Sequence, residues 1–219
     1  GLFFSSLIFA GEITSFTKKG NEVTFNCKDG SKLSLTINSS SVVKVWFDQS
    51  GKFSRQNPSF AIVNDQLENV GDISVNEEPS AYEIFTSKIR IRVNKNPMQL
   101  QIFDKWQKLI FSDFNEKGHV PSGKSVKSYK NLRSDEQFFG LGEKTGTLNR
   151  RGKNYKMWNS DRPCYSLTED PLYKSIPFFM SNYRYGIFLD TTYQSVFNFG
   201  AESNSFYSFD VPDGAFIYY

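Results

Sequence analysis

The sequence is short of the residues that most catalytic and metal sites need. The 219-residue chain contains one histidine and two cysteines. A transition-metal site requires clustered histidine, cysteine and carboxylate ligands, whereas Cys27 and Cys164 stand far apart in no metal-ligand spacing. A Ser-His-Asp or Cys-His triad would have to use His119 as its base. His119 lies in a segment rich in glycine and lysine, which predicts surface exposure. We therefore expect no metal site, no cofactor and no triad.

The chain also lacks a strong charge bias and a long apolar run. Its net charge is +3, with basic and acidic residues interspersed, which is too weak a bias to indicate a nucleic-acid partner. No run of 18 apolar residues occurs, so no membrane span is expected. Residues 2–10 resemble the apolar region of a signal peptide but have no basic start. They fit a first strand equally well, so localisation stays open, with a periplasmic or secreted location slightly favoured.

The two cysteines carry little functional information. Cys27 alternates with polar neighbours on the apolar side of a predicted strand, which indicates a buried free thiol. Pairing of Cys27 with Cys164 cannot be deduced from the sequence.

Aromatic residues and period-two patterns are what the sequence has in abundance. Phenylalanine occurs 22 times, and aromatic residues favour strands. Val23, Phe25 and Cys27 alternate with polar residues, and an Asp-Gly pair at Asp29 supplies a hairpin turn before the next strand. The pattern repeats along the chain without a helical stripe. It predicts an all-β fold, an antiparallel sandwich forming a single domain over residues 1–219. We interpret the hydrophilic segment 115–134 as a mobile loop within it.

The most distinctive stretch runs over residues 138–180. A glycine-punctuated turn around Gly140 is followed by a basic, aromatic segment and then by a long polar loop, residues 159–170. Such a long aperiodic loop in a strand-rich chain is typical of a functional segment. Its Asp, Asn and Arg side chains suit sugar hydroxyls, and Trp158 and Tyr155 could form a stacking platform or pack into the core. Arg150 and Arg151 could bind a carboxylate; a solvated basic turn is the default interpretation.

Four ordered motifs in this region carry a family resemblance: FFGLGEKTG, NRRGKNYKMWNSD, DPLYKSIPFFM and YGIFLDTTY. They resemble the N-terminal region of glycoside hydrolase family 31, the α-glucosidase and α-xylosidase family. The resemblance implies a β-sandwich of the galactose-mutarotase type (a supersandwich), followed by a catalytic TIM barrel after Tyr219. It also implies a retaining mechanism whose two aspartates belong to that barrel, so this segment alone should be inactive.

The resemblance implies a substrate-binding role for one residue, Asp161. Family members lend an aspartate from a sandwich loop to the sugar subsites, and Asp161 in Trp-Asn-Ser-Asp matches that position. The alternative is an aspartate that caps its own turn. The expected partners are an α-linked oligosaccharide or glucoside and the enzyme's own barrel. Two other functions stay open: a stand-alone carbohydrate-binding module and a purely structural scaffold. Mutarotase activity is not expected, because those enzymes use a histidine pair.

Overall fold

The computed structural model describes residues 11–55, 59–63, 69–71, 73–115 and 117–219, and the apolar segment 2–10 lies outside them. The described residues form strands and no helix, and no helix among them could cross a membrane. The strands are β1 (Ile13–Lys19), β2 (Glu22–Cys27), β3 (Lys32–Ile37), β4 (Val43–Asp48), β5 (Val75–Glu77), β6 (Ala81–Phe85), β7 (Ile89–Lys95), β8 (Met98–Asp104), β9 (Leu109–Ser112), β10 (His119–Ser122), β11 (Ser125–Asn131), β12 (Phe138–Gly142), β13 (Asn154–Met157), β14 (Ser175–Ser181), β15 (Gly186–Phe188), β16 (Ser195–Asn198), β17 (Phe206–Val211) and β18 (Phe216–Tyr218).

The strands pair antiparallel in four sheets. Three sheets have five strands, in the orders β1-β2-β3-β4-β18, β10-β11-β17-β16-β13 and β5-β6-β7-β8-β9. The fourth has three strands, in the order β12-β14-β15. The last strand, β18, pairs with β4, with Phe216 opposite Phe47, so the two ends of the described chain share one sheet. The prediction of an all-β antiparallel sandwich is confirmed.

Alternating apolar residues build the core between these sheets. On β2, Val23, Phe25 and Cys27 are buried while their neighbours are partly exposed, as the period-two pattern predicted. Aromatic rings fill the region behind the distinctive stretch: Phe138 stacks on Phe199 with ring centroids 4.4 Å apart, and Phe179 meets the Phe199 ring edge-on at 5.0 Å. The strands β12 and β14 therefore rest on a rigid aromatic layer.

The prediction of a mobile, exposed loop over residues 115–134 is wrong. This segment contains the β10–β11 hairpin, and β11 lies inside a five-stranded sheet, paired with β17. His119 is 1% exposed and stacks on Phe47, with ring centroids 5.0 Å apart. Lys130, also on the inner face, forms a buried ion pair with Asp113 and donates to the Tyr218 hydroxyl at 3.0 Å. The strand escaped prediction because polar side chains occupy its inward positions.

Candidate functional site

The 159–170 loop projects from the sandwich between β13 and β14. Residues 161–168 are all exposed and contain no strand, so the loop is not covered by other strands. It has no buried side chain of its own over that span, which means that its conformation is set where it joins the sheets. The contacts at its two ends therefore decide where Asp161 is held.

Ser175, the first residue of β14, fastens the base of the loop. Its amide donates to the Asn159 side-chain oxygen at 2.7 Å, and its hydroxyl accepts from the Trp158 amide at 3.1 Å. A backbone bond of 2.9 Å from Ser160 to the Leu172 carbonyl closes the loop one residue further on. These bonds bring the entry and the exit of the loop together, as in an Ω-loop.

An ion pair between the buried Lys144 and the partly exposed Asp170 also stabilises the loop base. The Lys144 ammonium lies 2.6 Å from Asp170 Oδ1 and also donates to the Lys156 carbonyl at 2.7 Å. The other oxygen of Asp170 accepts from the Lys156 amide at 2.6 Å. The Lys144 side chain has no exposed surface, and its burial lowers its pKa, while the adjacent Asp170 carboxylate acts in the opposite direction. Asp170 is thus held in place by an ion pair and a backbone hydrogen bond.

The glycine-rich turn explains how Lys144 reaches that position. Gly140, Leu141 and Gly142 have positive φ angles of 127°, 71° and 76°, and the register with β14 shifts between the two glycines. A Cβ atom on Gly142 would lie 2.4 Å from the Lys174 carbonyl oxygen, so only glycine fits there. The turn is therefore a bend within β12.

Arg150 braces the segment that follows this bend. Its guanidinium donates to the carbonyls of Gly140, Thr145 and Thr147 at 3.0–3.2 Å. The residue is 7% exposed, so the default interpretation as a solvated basic turn is wrong for Arg150. Its role here is to satisfy backbone acceptors and so to hold residues 140–147 beside the loop base.

Asp161 itself is exposed on the loop. The Tyr173 hydroxyl lies near this carboxylate; partial desolvation and then the Asp161 carboxylate raise the pKa of Tyr173. Within the described residues, no hydrogen bond from a backbone amide to the Asp161 side chain is found. The geometry therefore differs from that of a turn aspartate capping its own backbone, and the carboxylate keeps lone pairs that can accept from sugar hydroxyls.

The two aromatic candidates separate in the structure. Tyr155 is 3% exposed and belongs to the core, whereas Trp158 is 51% exposed beside the loop base. Sequence reasoning overlooked Tyr165 and Tyr173, which also present exposed rings within or next to the loop. Aromatic residues inside an otherwise polar loop were the available signal. Three exposed rings and one carboxylate are a combination suited to a pyranose.

The cysteines and the histidine lie outside this site. Cys27 is a buried free thiol, as predicted, and its burial raises its pKa to about 11. Cys164 is an exposed free thiol on the loop. His119 is enclosed in the core, where burial lowers its pKa to about 3, so it stays neutral in the folded chain. In the described part of the chain, no cluster of histidine, cysteine and carboxylate side chains could hold a metal ion.

Comparison with known proteins relates this chain to a family of enzymes. Residues 32–198 match the model of the glycosyl hydrolase 31 N-terminal galactose mutarotase-like domain. Alpha-glucosidase 2 of Bacillus thermoamyloliquefaciens is 29% identical over 213 residues, covering 95% of this chain and 26% of the relative. The isomaltosyltransferase of Sporosarcina globispora is 24% identical over 217 residues, covering 92% of this chain and 19% of the relative.

A solved structure extends the likeness to the whole described sandwich. The GH31 dextranase of Flavobacterium johnsoniae, complexed with isomaltotriose, superposes with a TM-score of 0.94 at 58% identity, covering 96% of this chain and 26% of that one. The chain thus spans about a fifth to a quarter of the length of these relatives. Its match to the family over residues 32–198 shows that it belongs to glycoside hydrolase family 31, as an N-terminal galactose mutarotase-like domain.

Proposed function

We propose that this domain serves a retaining hydrolase that removes terminal α-linked glucosyl units from oligosaccharides. The sandwich packs on a catalytic barrel, and the 159–170 loop forms part of the wall of the substrate pocket. The two aspartates that perform the reaction belong to the barrel, where one attacks the anomeric carbon and the other transfers the proton. The 58% identity to a dextranase domain supports an α-glucan substrate.

Within that enzyme, Asp161 binds and orients the sugar. Its ionised carboxylate accepts hydrogen bonds from hydroxyl groups, and each such charge-assisted bond contributes about 1.5–3 kcal/mol. The observation that carries this role is the exposed carboxylate on a loop whose base is held by the Lys144–Asp170 ion pair and by the hydrogen bond from Ser175 to Asn159. An anchored loop holds a ligand group in place without an entropy cost on binding.

The test of this role is Asp161→Ala in the full-length enzyme. We expect kcat/KM for an α-glucoside or isomaltooligosaccharide to fall about 10–100-fold, the equivalent of the lost hydrogen bonds. Glu202→Ala, which removes an exposed carboxylate from the β16–β17 turn, is the matched control and should leave kcat/KM unchanged. Equal kcat/KM for Asp161→Ala and the wild type would remove Asp161 from the site.

The exposed Trp158 and Tyr165 rings favour one competing function, an independent carbohydrate-binding module. Titration of the 219-residue chain with isomaltotriose and with a maltooligosaccharide separates the two. A module would bind either sugar at micromolar to low-millimolar concentration. The proposed wall of a shared pocket should show no saturable binding, and the chain alone should not hydrolyse a chromogenic α-glucoside.

A further inference from the structure

Strand β14 carries apolar residues on both of its faces. Phe179 points inward and is fully buried, whereas the alternate residues Ile176, Phe178 and Met180 are 52%, 39% and 53% exposed. An antiparallel sheet that faces water on one side normally places polar residues there. Three successive outward positions of β14 instead present a row of apolar side chains, which is typical of a surface that another element covers.

The row continues into an apolar groove of about 710 Å³. The groove is lined by Phe178, Met180 and Phe188 of the three-stranded sheet together with Val42, Ile102 and Tyr219. The Phe178 ring packs against Gly186, where an added Cβ atom would lie 3.0 Å from the ring.

The exposed apolar residues of the described chain concentrate in the stretch of sequence that contains the loop and β14. Of the thirteen large hydrophobic side chains that are exposed, seven fall between residues 158 and 180. The Trp158 amide bonded to Ser175 places the loop base at the start of β14. The loop is fastened to the first residue of β14, and the apolar row lies on the same strand. A domain that contacts the loop would therefore also contact the row.

Tyr219, which lines the groove, lies next to the three-stranded sheet. Tyr219 exchanges two backbone hydrogen bonds with Phe188, of 2.9 and 3.0 Å, and so lies at the edge of the three-stranded sheet. This chain covers 26% of the length of two relatives, and in those proteins further polypeptide follows the N-terminal part. Polypeptide continuing from position 219 would emerge beside the groove.

We propose that the outer face of β14 and the adjoining groove are the docking surface for the catalytic domain that follows this one. The inference rests on the proposed function in one respect, namely that such a domain follows. It assigns the contact to Ile176, Phe178 and Met180, whose apolar surface is removed from water when the two domains meet.

Oxidation of methionine measures this directly. Hydroxyl-radical footprinting with mass spectrometry compares the 219-residue chain with the enzyme extended through its natural sequence beyond Tyr219, with a methionine peptide added to calibrate dose. Met180 is exposed, whereas Met98 and Met157 are 1% and 5% exposed and serve as buried references. We expect Met180 to oxidise at least tenfold faster than both references in the short chain, and to be protected at least tenfold in the extended enzyme.

Two substitutions in the extended enzyme sharpen the test. Phe178→Ser removes the largest ring of the row and should restore oxidation of Met180, while Leu148→Ser, at a 74% exposed apolar residue between β12 and β13, should not. Equal oxidation of Met180 in both chains would overturn the docking surface, whatever the activity. Protection without turnover of any α-glucoside would support the surface and refute the proposed reaction. Protection in the short chain with a doubled mass in sedimentation would mean that a second copy covers the face, and would overturn the proposal.

Discussion

Asp170→Asn is the perturbation that most directly tests how the loop is held. Both carboxylate oxygens of Asp170 accept from nitrogen donors, the Lys144 ammonium at 2.6 Å and the Lys156 amide at 2.6 Å. An asparagine has one acceptor oxygen, so its NH₂ group would face one of these donors. The Lys144 ammonium, without exposed surface, would lose its counter-charge at the same time.

The size of the effect follows from the burial of the two partners. Breaking a fully buried ion pair by removing one partner destabilises a protein by about 3–5 kcal/mol. The Asp170 side chain is 18% exposed, and water can partly replace it, which reduces the expected loss to roughly 2–3 kcal/mol. For a domain of this size each kcal/mol corresponds to about 2–4 °C in Tm, so the midpoint should fall by roughly 4–12 °C.

The assay is urea unfolding of the 219-residue chain followed by tryptophan fluorescence, with thermal melts in parallel. Glu169→Gln is the matched control, because it makes the same chemical change in the same loop. Glu169 pairs with Arg162 at 3.6 Å, and the two side chains are 35% and 54% exposed, so the loss should stay below about 0.5 kcal/mol. Lys144→Met combined with Asp170→Asn should recover part of the loss. If Asp170→Asn were no more destabilising than Glu169→Gln, the ion pair would not anchor the loop.

Three further predictions concern the core, the thiols and the bend. The pKa of His119 is about 3 in the folded chain and about 6.5 in the unfolded chain. Between these pH values only the unfolded chain binds the proton. Acidification in this range therefore lowers the free energy of unfolding by up to about 1.4 kcal/mol per pH unit. His119→Gln, in a chain with one histidine, should lessen the fall in unfolding free energy from pH 6.5 to 4; an unchanged fall would contradict a buried neutral imidazole. Ellman's reagent should titrate one thiol, Cys164, in the native chain and two in denaturant, and two in the native chain would show that Cys27 is accessible. Gly152→Ala, at a position with open space around it, should cost only the roughly 1 kcal/mol of left-handed backbone strain. Gly142→Ala adds a clash with the Lys174 carbonyl to the same strain, so it should lower the free energy of unfolding, measured in urea, by roughly 2–3 kcal/mol. Equal losses for the two glycine variants would show that the backbone at Gly142 can shift.

The fold could be predicted wherever the inward face of a strand is apolar. Val23 and Phe25 on β2 show the period-two alternation that sheets produce, and the structure follows it. β11 could not be found in this way, because Ser128 and Lys130 occupy inward positions. A buried lysine is compatible with a core only when a partner neutralises it, and Asp113 lies 17 residues earlier in the chain.

The same limit applies to the candidate site. The absence of periodicity revealed the 159–170 loop, and the family motifs indicated Asp161. The anchors were missed because a surface cation and a buried one look alike in sequence. Lys144 is distinguished only by Asp170, 26 residues away, and by the Lys156 carbonyl on another strand. Long-range partners of this kind become visible only when strand pairing is known.

The placement of charge and apolar surface around β14 bears on how the sandwich would influence a reaction in the proposed neighbouring domain. A loop without a core of its own would sample many conformations, and a ligand group on it would bind with an entropy cost. The bonds of Lys144 and Ser175 restrict that freedom at the loop base, while the apolar row beginning at Ile176 would fix the sandwich against its neighbour. Both constraints act on the same strand. The position of Asp161 relative to a neighbouring pocket would therefore depend on β14 as much as on the loop, and substitutions at Phe178, on the outer face of β14, should raise KM more than they lower kcat.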